Sequence, residues 1–243
     1  QSPEKIISQI IAEKPDFIFT LGTKATRLAQ VSFRDIPIVF ALVLDPEMIK
    51  APNVAGVLMD IPAKTKLELL KKICADKRNI GVIYSQKSLR ELNELQQACQ
   101  ELGWTLISNK IVSGKQFPDA LRDINPQIDC FIMLPDTTIY FPQSVKYLLG
   151  ESIKQKFPVV GLSRFYSKDG AFISFDCDYM DLGQQAGEIA LKIIDGSKPA
   201  DLPLMIPRKF KFSLNLTVAK KLALKIPLAI QREAAYIYQD KSK

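Results

Sequence analysis

The feature that most limits how this chain can fold is an internal duplication with a spacing of about 120 residues. Each copy has a strand, a turn, a helix and a further strand, and key positions recur as Pro-Glu or Pro-Asp (3–4 and 118–119), Gly-Thr or Asp-Thr, and Pro-Ile or Pro-Val. The corresponding segments are 15–23, 36–40 and 54–60 in the first copy, and 128–137, 157–161 and 170–176 in the second. The duplication predicts two similar α/β lobes that face each other, with a ligand between them.

The two copies differ in what precedes them. The second follows an additional strand, helix and strand, at 80–85, 88–102 and 105–111, for which the first has no counterpart. The chain also begins with Gln1 rather than methionine. We therefore expect that the first lobe lacks a leading strand-helix-strand unit that was removed, and a naturally shorter lobe is the alternative.

Short apolar runs alternate with helical patterns along the rest of the chain. The runs are rich in Val, Ile and Phe and are bounded by Pro, Gly and Asp, which is typical of buried parallel strands. Helices are predicted at 64–74, 89–102, 182–194, 217–224 and 228–238, and a final strand at 209–216. This alternation predicts an α/β fold with parallel, Rossmann-like sheets.

Composition limits the class of protein and of partner. With 243 residues, of which 47% are hydrophobic and 24% charged, the chain can bury a substantial core. Its apolar runs are too short to span a bilayer. The net charge of +7 is spread along predicted helix faces and comes with no recognition motif, so we expect no nucleic-acid partner.

Residues that would support catalysis or metal binding are scarce. There is no histidine, no P-loop and no GxGxxG, GxSxG or HExxH motif, so we expect neither an enzyme nor a cofactor. The alternative is an enzyme with a catalytic carboxylate pair formed by Asp45 and Asp136. Its only support is that both residues lie in predicted turns. The four cysteines, at positions 74, 99, 130 and 177, lack metal-ligand spacing, and we expect them to be buried as small hydrophobic residues, with no metal site.

The candidate ligand-binding residues follow the predicted strands. Parallel sheets bind ligands beyond the carboxyl ends of their strands, which indicates the turns after them. These turns contain Gly22, Thr23, Asp45, Tyr84, Ser85, Asp136, Thr137 and Ser163. Gly22 and Thr23 suit a carboxylate at a helix start, and Asp45 or Asp136 an ammonium group. The alternative for each Asp or Thr is an ordinary helix N-cap.

A set of motifs in the same order along nearly the whole chain is familiar from one family. The motifs are Leu21-Gly22-Thr23, Ile36-Pro37-Ile38-Val39-Phe40 with Asp45-Pro46, Asn53-Val54 with Gly56, Leu67-Glu68-Leu69-Leu70, Ile80-Gly81-Val82-Ile83-Tyr84, Pro135-Asp136-Thr137-Thr138, Phe157-Pro158-Val159, Asp178-Tyr179 with Asp181-Leu182-Gly183, and Asn215-Leu216 with Ala219. The chain resembles the substrate-binding proteins of bacterial ABC transporters, in the type I periplasmic-binding group that includes aromatic amino acid binders.

The resemblance implies two hinged lobes that close on a small ligand. The first lobe would contain residues 1–60 and 181–204, and the second 61–180 and 205–243, with crossings near 60–62, 178–181 and 203–207. The implied function is the solute-binding component of an ABC importer that captures a small polar or amino-acid-like ligand. A ligand-sensing input domain of a signalling system is the alternative.

The resemblance also implies partners and a location. The expected partners are the small-molecule ligand and the membrane permease of an ABC transporter. The expected location is the periplasm or another extracytoplasmic compartment, with a lipid anchor on a removed N-terminal segment as one arrangement. The identity of the ligand stays open between amino acids, other carboxylates, nucleosides and small sugars.

Overall fold

A computed structural model describes residues 2–74 and 76–240 of the chain. The helices are α1 (Pro3–Glu13), α2 (Thr23–Ser32), α3 (Ala63–Ile73), α4 (Leu89–Leu102), α5 (Phe117–Ile124), α6 (Pro142–Gln155), α7 (Arg164–Asp169), α8 (Tyr179–Ile194), α9 (Leu216–Lys221) and α10 (Leu228–Glu233). The strands are β1 (Ile18–Leu21), β2 (Ile38–Val43), β3 (Val54–Leu58), β4 (Asn79–Tyr84), β5 (Thr105–Lys110), β6 (Cys130–Ile132), β7 (Val159–Gly161), β8 (Ile173–Cys177), β9 (Phe210–Asn215) and β10 (Tyr236–Tyr238).

The chain divides into two compact units, each built from two separate stretches. Unit 1 contains residues 1–61 and 177–210, and unit 2 contains residues 62–176 and 211–243. The chain therefore passes from one unit to the other three times. The assignment of these units to the lobes of a ligand trap stays a prediction.

Unit 1 is built on a three-stranded parallel sheet in the order β1-β2-β3. The central strand is apolar on both faces, and Ile38, Val39 and Phe40 are fully buried. Helix α8, which comes from the second stretch of the unit, packs on β2 and β3. The predicted α/β arrangement of this unit is confirmed.

Unit 2 contains a seven-stranded sheet in the order β10-β9-β8-β7-β6-β4-β5. Strands β4 to β8 are parallel to one another, as predicted. Strand β9 runs the opposite way, because Asn215 at its end donates to Phe172 before β8, and Asp178 after β8 donates to Lys209. The sheet is thus parallel over most of its width and reverses direction at β9.

The core of unit 2 lies where helices α5 and α6 pack on the sheet. Large side chains form it, and Phe117, Phe131, Ile139 and Leu148 have no exposed surface. The rings of Phe117 and Phe131 meet edge to face with centroids 6.4 Å apart. This packing fixes the starts of α5 and α6, and with them the loops that follow the neighbouring strands.

The end of the chain differs from the sequence prediction. We predicted a helix over 228–238, but α10 ends at Glu233 and the chain continues as β10, so the second half of that prediction is wrong. Tyr236, Ile237 and Tyr238 are aromatic or β-branched, which favours a strand. They form a parallel pair with β9, in which Tyr236 lies opposite Ser213.

Other predicted elements agree more closely. The helix predicted at 89–102 is α4, with Gly103 as its left-handed C-cap. The helix predicted from residue 182 begins earlier, at Tyr179, because the Asp178 side chain accepts hydrogen bonds from the backbone of Met180 and Asp181. All four cysteines are buried, as predicted. In the described part of the chain, no helix combines the length and apolar character that crossing a membrane requires.

Candidate functional site

The predicted residues of unit 2 lie at one edge of its sheet. Tyr84 ends β4 and Ser85 follows it, Asp136 and Thr137 follow β6, and Ser163 follows β7. Strand β6 pairs in parallel with both β4 and β7, so the carboxyl ends of these strands share an edge. The structure therefore brings these three loops of unit 2 together, as the strand pattern predicts.

Asp136 joins two of these loops through its carboxylate. Its Oδ2 accepts hydrogen bonds from the hydroxyls of Ser85 at 2.6 Å and Ser88 at 2.7 Å. Its Oδ1 accepts from the backbone N–H of Thr138 at 2.8 Å. The side chain is nearly inaccessible, with 6% of Asp136 exposed. The loop after β4 and the loop after β6 are consequently held as one piece.

These hydrogen bonds also decide the charge of Asp136. Burial acts to raise its pKa, but the hydrogen bonds from Ser85, Ser88 and Thr138 outweigh burial and lower the pKa below the usual 3.8. The group is ionised at neutral pH. Because a carboxylate offers about four acceptor positions, three intramolecular donors leave little capacity for a ligand ammonium. The geometry accounts for Asp136 as a positioning residue, and direct ligand contact stays a prediction.

The neighbouring predicted residues are more accessible. Thr137 is exposed, and Tyr84 and Ser163 are half-buried, whereas Ser85 is only 4% exposed. Ser88 was predicted only as the start of a helix. Its link to Asp136 spans 48 residues of sequence, so no local pattern indicates it.

The predicted residues of unit 1 lie at two strand ends. Gly22 follows β1 with a positive φ of 81° and is the N-cap of α2, which begins at Thr23. Asp45 follows β2 and caps a short turn, since its Oδ1 accepts from the backbone N–H of Glu47 at 2.9 Å. The structure thus gives Asp45 the role of an N-cap, one of the two interpretations that its position allows. Ligand contact by Gly22, Thr23 or Asp45 stays a prediction.

Arg164 is a candidate that sequence reasoning missed, although it directly follows the predicted Ser163. Its guanidinium carbon lies 4.6 Å from the ring centroid of Tyr236 and 5.2 Å from that of Phe165. Among the described residues, no oxygen accepts a hydrogen bond from this guanidinium. Stacking of this kind fixes the plane of the group and leaves its N–H edges available.

Asp176 lies beside Arg164 at the end of β8. Its Oδ2 accepts from the backbone N–H of Arg164 at 2.7 Å. Burial raises the pKa of Asp176, and the hydrogen bond from the Arg164 backbone and the charge of Arg164 oppose that rise without cancelling it. The sequence contains a signal for Asp176, which follows an apolar run at 171–175. It contains none for Tyr236, because a helix is predicted over that position.

Unit 2 also contains a groove of about 870 Å³ beside this edge. One face of α6 forms a wall with Val145, Leu149 and Ile153, and the opposite side contains Phe165 and Tyr166. Of the predicted site residues, Ser163 alone lines it. The Tyr140 hydroxyl at this groove is buried without a hydrogen-bond partner, and burial raises its pKa. The groove is mainly apolar and aromatic, with the charged residues Lys146, Asp169 and Lys221 also in its lining, and its size is in the range of small-molecule sites.

Metal binding finds no support in the described residues. No group of three or more His, Cys, Asp or Glu side chains converges there in an arrangement that could hold a metal ion. The chemistry that the site offers is hydrogen bonding, charge pairing and aromatic contact.

The chain is similar in sequence to a bacterial binding protein. A tyrosine-binding protein of Clostridioides difficile is 23% identical over 230 residues, which is 90% of this chain and 66% of that protein. The chain thus spans just under two thirds of that relative's length.

Solved structures show the same fold. The ABC domain from Streptococcus pneumonia in complex with L-Trp matches with a TM-score of 0.72 at 23% identity, covering 97% of this chain and 83% of that one. The ligand-free, open form of a substrate binding protein with adhesive properties from Clostridium difficile matches with a TM-score of 0.80 at 23% identity, covering 98% and 83%. These likenesses establish the type I periplasmic-binding fold.

The family itself is identified by sequence. Residues 3–237, nearly the whole chain, match the family described as ABC transporter substrate binding protein. This is a family of binding proteins rather than of enzymes. The resemblance seen in the motifs is therefore confirmed, and the chain belongs to the ABC transporter substrate binding protein family.

Proposed function

We propose that this chain is the solute-binding component of an ABC importer and captures a small, amino-acid-like ligand outside the cytoplasm. The observation that carries the proposal is the family match over residues 3–237. The strand-end loops of unit 2 support it, because they gather hydroxyl, carboxylate and guanidinium groups at one sheet edge, where ligands of parallel sheets bind.

The relatives favour aromatic amino acids as the ligand class. One solved neighbour holds L-Trp, and a relative from another organism is named as a tyrosine-binding protein. Both share 23% identity with this chain. The aromatic side chains beside Ser163, among them Phe165 and Tyr166, offer compatible surroundings for a ring.

The mechanism we propose is capture without covalent chemistry. A ligand that binds one conformation of the protein better than another shifts the population toward that conformation, by as much as its difference in affinity. A membrane permease would then recognise the ligand-bound form. The lack of histidine, nucleophile motifs and a metal cluster in the described residues is compatible with such a role.

A thermal-shift screen tests this function directly. The chain is heated with L-tryptophan, L-tyrosine, L-phenylalanine, polar amino acids, ribose or a nucleoside, one at a time. Binding to the folded form raises its stability by about 2.7 kcal/mol at a ligand concentration of 100 times Kd. We expect a rise in the unfolding midpoint with at least one aromatic amino acid. If only ribose or a nucleoside raises the unfolding midpoint, the proposed ligand class is wrong. Turnover of any compound would contradict a pure binding role.

A further inference from the structure

The Arg164 side chain of unit 2 has the features of a prepared anion receptor. It is half-buried, its guanidinium carbon lies over the rings of Phe165 and Tyr236, and none of the described residues accepts a hydrogen bond from the guanidinium. The aromatic contacts use the face of the planar group, and its five N–H donors keep the fork geometry that suits a carboxylate.

Asp176 supplies the opposite charge next to it. One carboxylate oxygen is engaged by the Arg164 backbone N–H at 2.7 Å, and the other accepts no hydrogen bond from the described residues. The charge of Arg164 acts on the Asp176 carboxylate, and no ion pair within 4.0 Å joins these two described side chains. Two oppositely charged side chains, linked through the Arg164 backbone, therefore keep unused hydrogen-bonding capacity.

We propose that Arg164 and Asp176 bind the two charged groups of a free α-amino acid. The guanidinium takes the α-carboxylate and the Asp176 carboxylate takes the α-ammonium. This inference rests on the proposed function and deepens it, because it assigns the recognised class to this pair of residues. It also moves the ammonium acceptor away from Asp136, whose oxygens are engaged by Ser85, Ser88 and Thr138.

The pairing selects against other small solutes. A sugar or nucleoside has no charge to offset, so burying the two charged side chains against it would leave both without a full partner. A simple carboxylic acid matches Arg164 alone and an amine matches Asp176 alone. An α-amino acid satisfies both, because its charged groups are attached to one carbon atom.

The test uses two substitutions and three ligands. Asp176→Asn removes a charge with little change of shape, and Arg164→Gln removes the guanidinium and its charge while keeping a shorter polar side chain. The ligands are L-tryptophan, tryptamine, which lacks the carboxylate, and indole-3-propionate, which lacks the ammonium group. Dissociation constants are measured by isothermal titration calorimetry on the full chain. If aromatic amino acids with a phenol ring bind better, then L-tyrosine, tyramine and 3-(4-hydroxyphenyl)propionate replace the set.

The expected result is a selective loss. Arg164→Gln should weaken the binding of L-tryptophan and indole-3-propionate by about 10- to 100-fold, which is the usual effect of losing a hydrogen bond to a charged group. The dissociation constant of tryptamine should not change. Asp176→Asn should weaken L-tryptophan and tryptamine and leave indole-3-propionate unchanged. A merely structural role would weaken all three ligands together.

Matched controls separate folding from recognition. Arg122→Gln and Asp119→Asn remove the same charges from exposed positions on α5, where the side chains are 69% and 71% exposed. Both should leave every dissociation constant unchanged. Unfolding midpoints of all four variants show whether a weak binder is simply less folded. The Asp176→Asn variant keeps a side-chain oxygen that can accept the backbone N–H of Arg164, so the loop after β7 retains this hydrogen bond.

The outcomes distinguish this inference from the proposed function. Binding of L-tryptophan or L-tyrosine that both substitutions leave intact overturns the role of Arg164 and Asp176 alone, and the proposed function stands. A protein that binds no α-amino acid but binds another solute overturns the ligand class and this inference together. Equal losses for all three ligands overturn the charge assignment.

Discussion

At the scale of single residues, Asp136 is hydrogen-bonded to Ser85 and Ser88, which precede it by 51 and 48 residues. Both serine hydroxyls reach the same oxygen, and a backbone N–H reaches the other. The turn position of Asp136 could be predicted from the sequence, because a buried strand ends just before it. Its partners could not, because Ser85 and Ser88 approach it only after β4 and β6 have paired.

We predict that Asp136→Asn destabilises the fold by about 1–3 kcal/mol at pH 7, because an amide replaces an acceptor that serves three donors. The pKa of Asp136 is lowered in the folded state, so the carboxylate contributes stability above its unfolded value of about 3.9 and loses it as the pH falls through the folded value. In urea unfolding, the difference in free energy of unfolding between wild type and variant should therefore become smaller below about pH 4.

The exposed Asp119 provides the control for this measurement. Asp119→Asn should change the free energy of unfolding by less than about 0.5 kcal/mol, as is usual for surface substitutions. A gap for Asp136→Asn that keeps its size down to pH 3 would mean that shape, rather than charge, holds the two loops.

At the scale of secondary-structure elements, strand types and most helices could be predicted from periodicity, but strand direction could not. The reversal of β9 depends on pairing with β8, and an apolar strand has the same pattern in either direction. Helix α8 begins three residues before the predicted start, where Asp178 supplies the cap. Strand β10 was mistaken for helix because its β-branched and aromatic residues follow directly on a short helix.

Gly56 sets the contact between β2 and β3. It lies opposite Phe40 in the register, and a Cβ at position 56 would overlap the carbonyl oxygen and the ring of Phe40. Since a backbone carbonyl in a sheet cannot move aside without breaking its pairing, we predict that Gly56→Ala destabilises unit 1 by about 3 kcal/mol or more. Chemical denaturation followed by circular dichroism measures this loss. A variant as stable as wild type would show that β2 and β3 can separate freely.

At Gly150, in contrast, we expect a substitution by alanine to stabilise the protein. It lies within α6, and a Cβ there would meet no atom within 4 Å. Gly150→Ala should stabilise the protein by about 0.5–1 kcal/mol, because alanine loses less backbone entropy in a helix. Gly187→Ala in α8, another open helical position, is the matched comparison and should behave alike. If the Gly150 variant alone is less stable than wild type, the groove lined by α6 has no room for a methyl group at position 150.

At the scale of the whole molecule, all four cysteines are buried, one in unit 1 and three in unit 2. Burial raises the pKa of Cys74 and of Cys99 to about 11, and raises that of Cys130 further. Because the thiolate is the reactive form, each of these thiols is protected by its surroundings and by its protonation. Thiol reactivity is therefore a reporter of unfolding.

We predict that the native chain reacts only slowly with Ellman's reagent at pH 8, and that guanidinium chloride releases four reactive thiols. Following the reaction across the denaturant range should reproduce the unfolding transition seen by circular dichroism. A Cys177→Ser variant should release three, which identifies the thiol of unit 1. Rapid reaction of any thiol in the native protein would show that its unit opens locally.

The three passages of the chain between the units have a consequence for synthesis on the ribosome. Helix α8, which covers β2 and β3, is translated only after residues 62–176, so the first strands must wait with an uncovered apolar face. At about 5–20 residues per second this interval lasts several seconds. Unit 2 is likewise finished only when its final stretch emerges. Nascent chains of this protein should therefore depend on chaperones or on late folding.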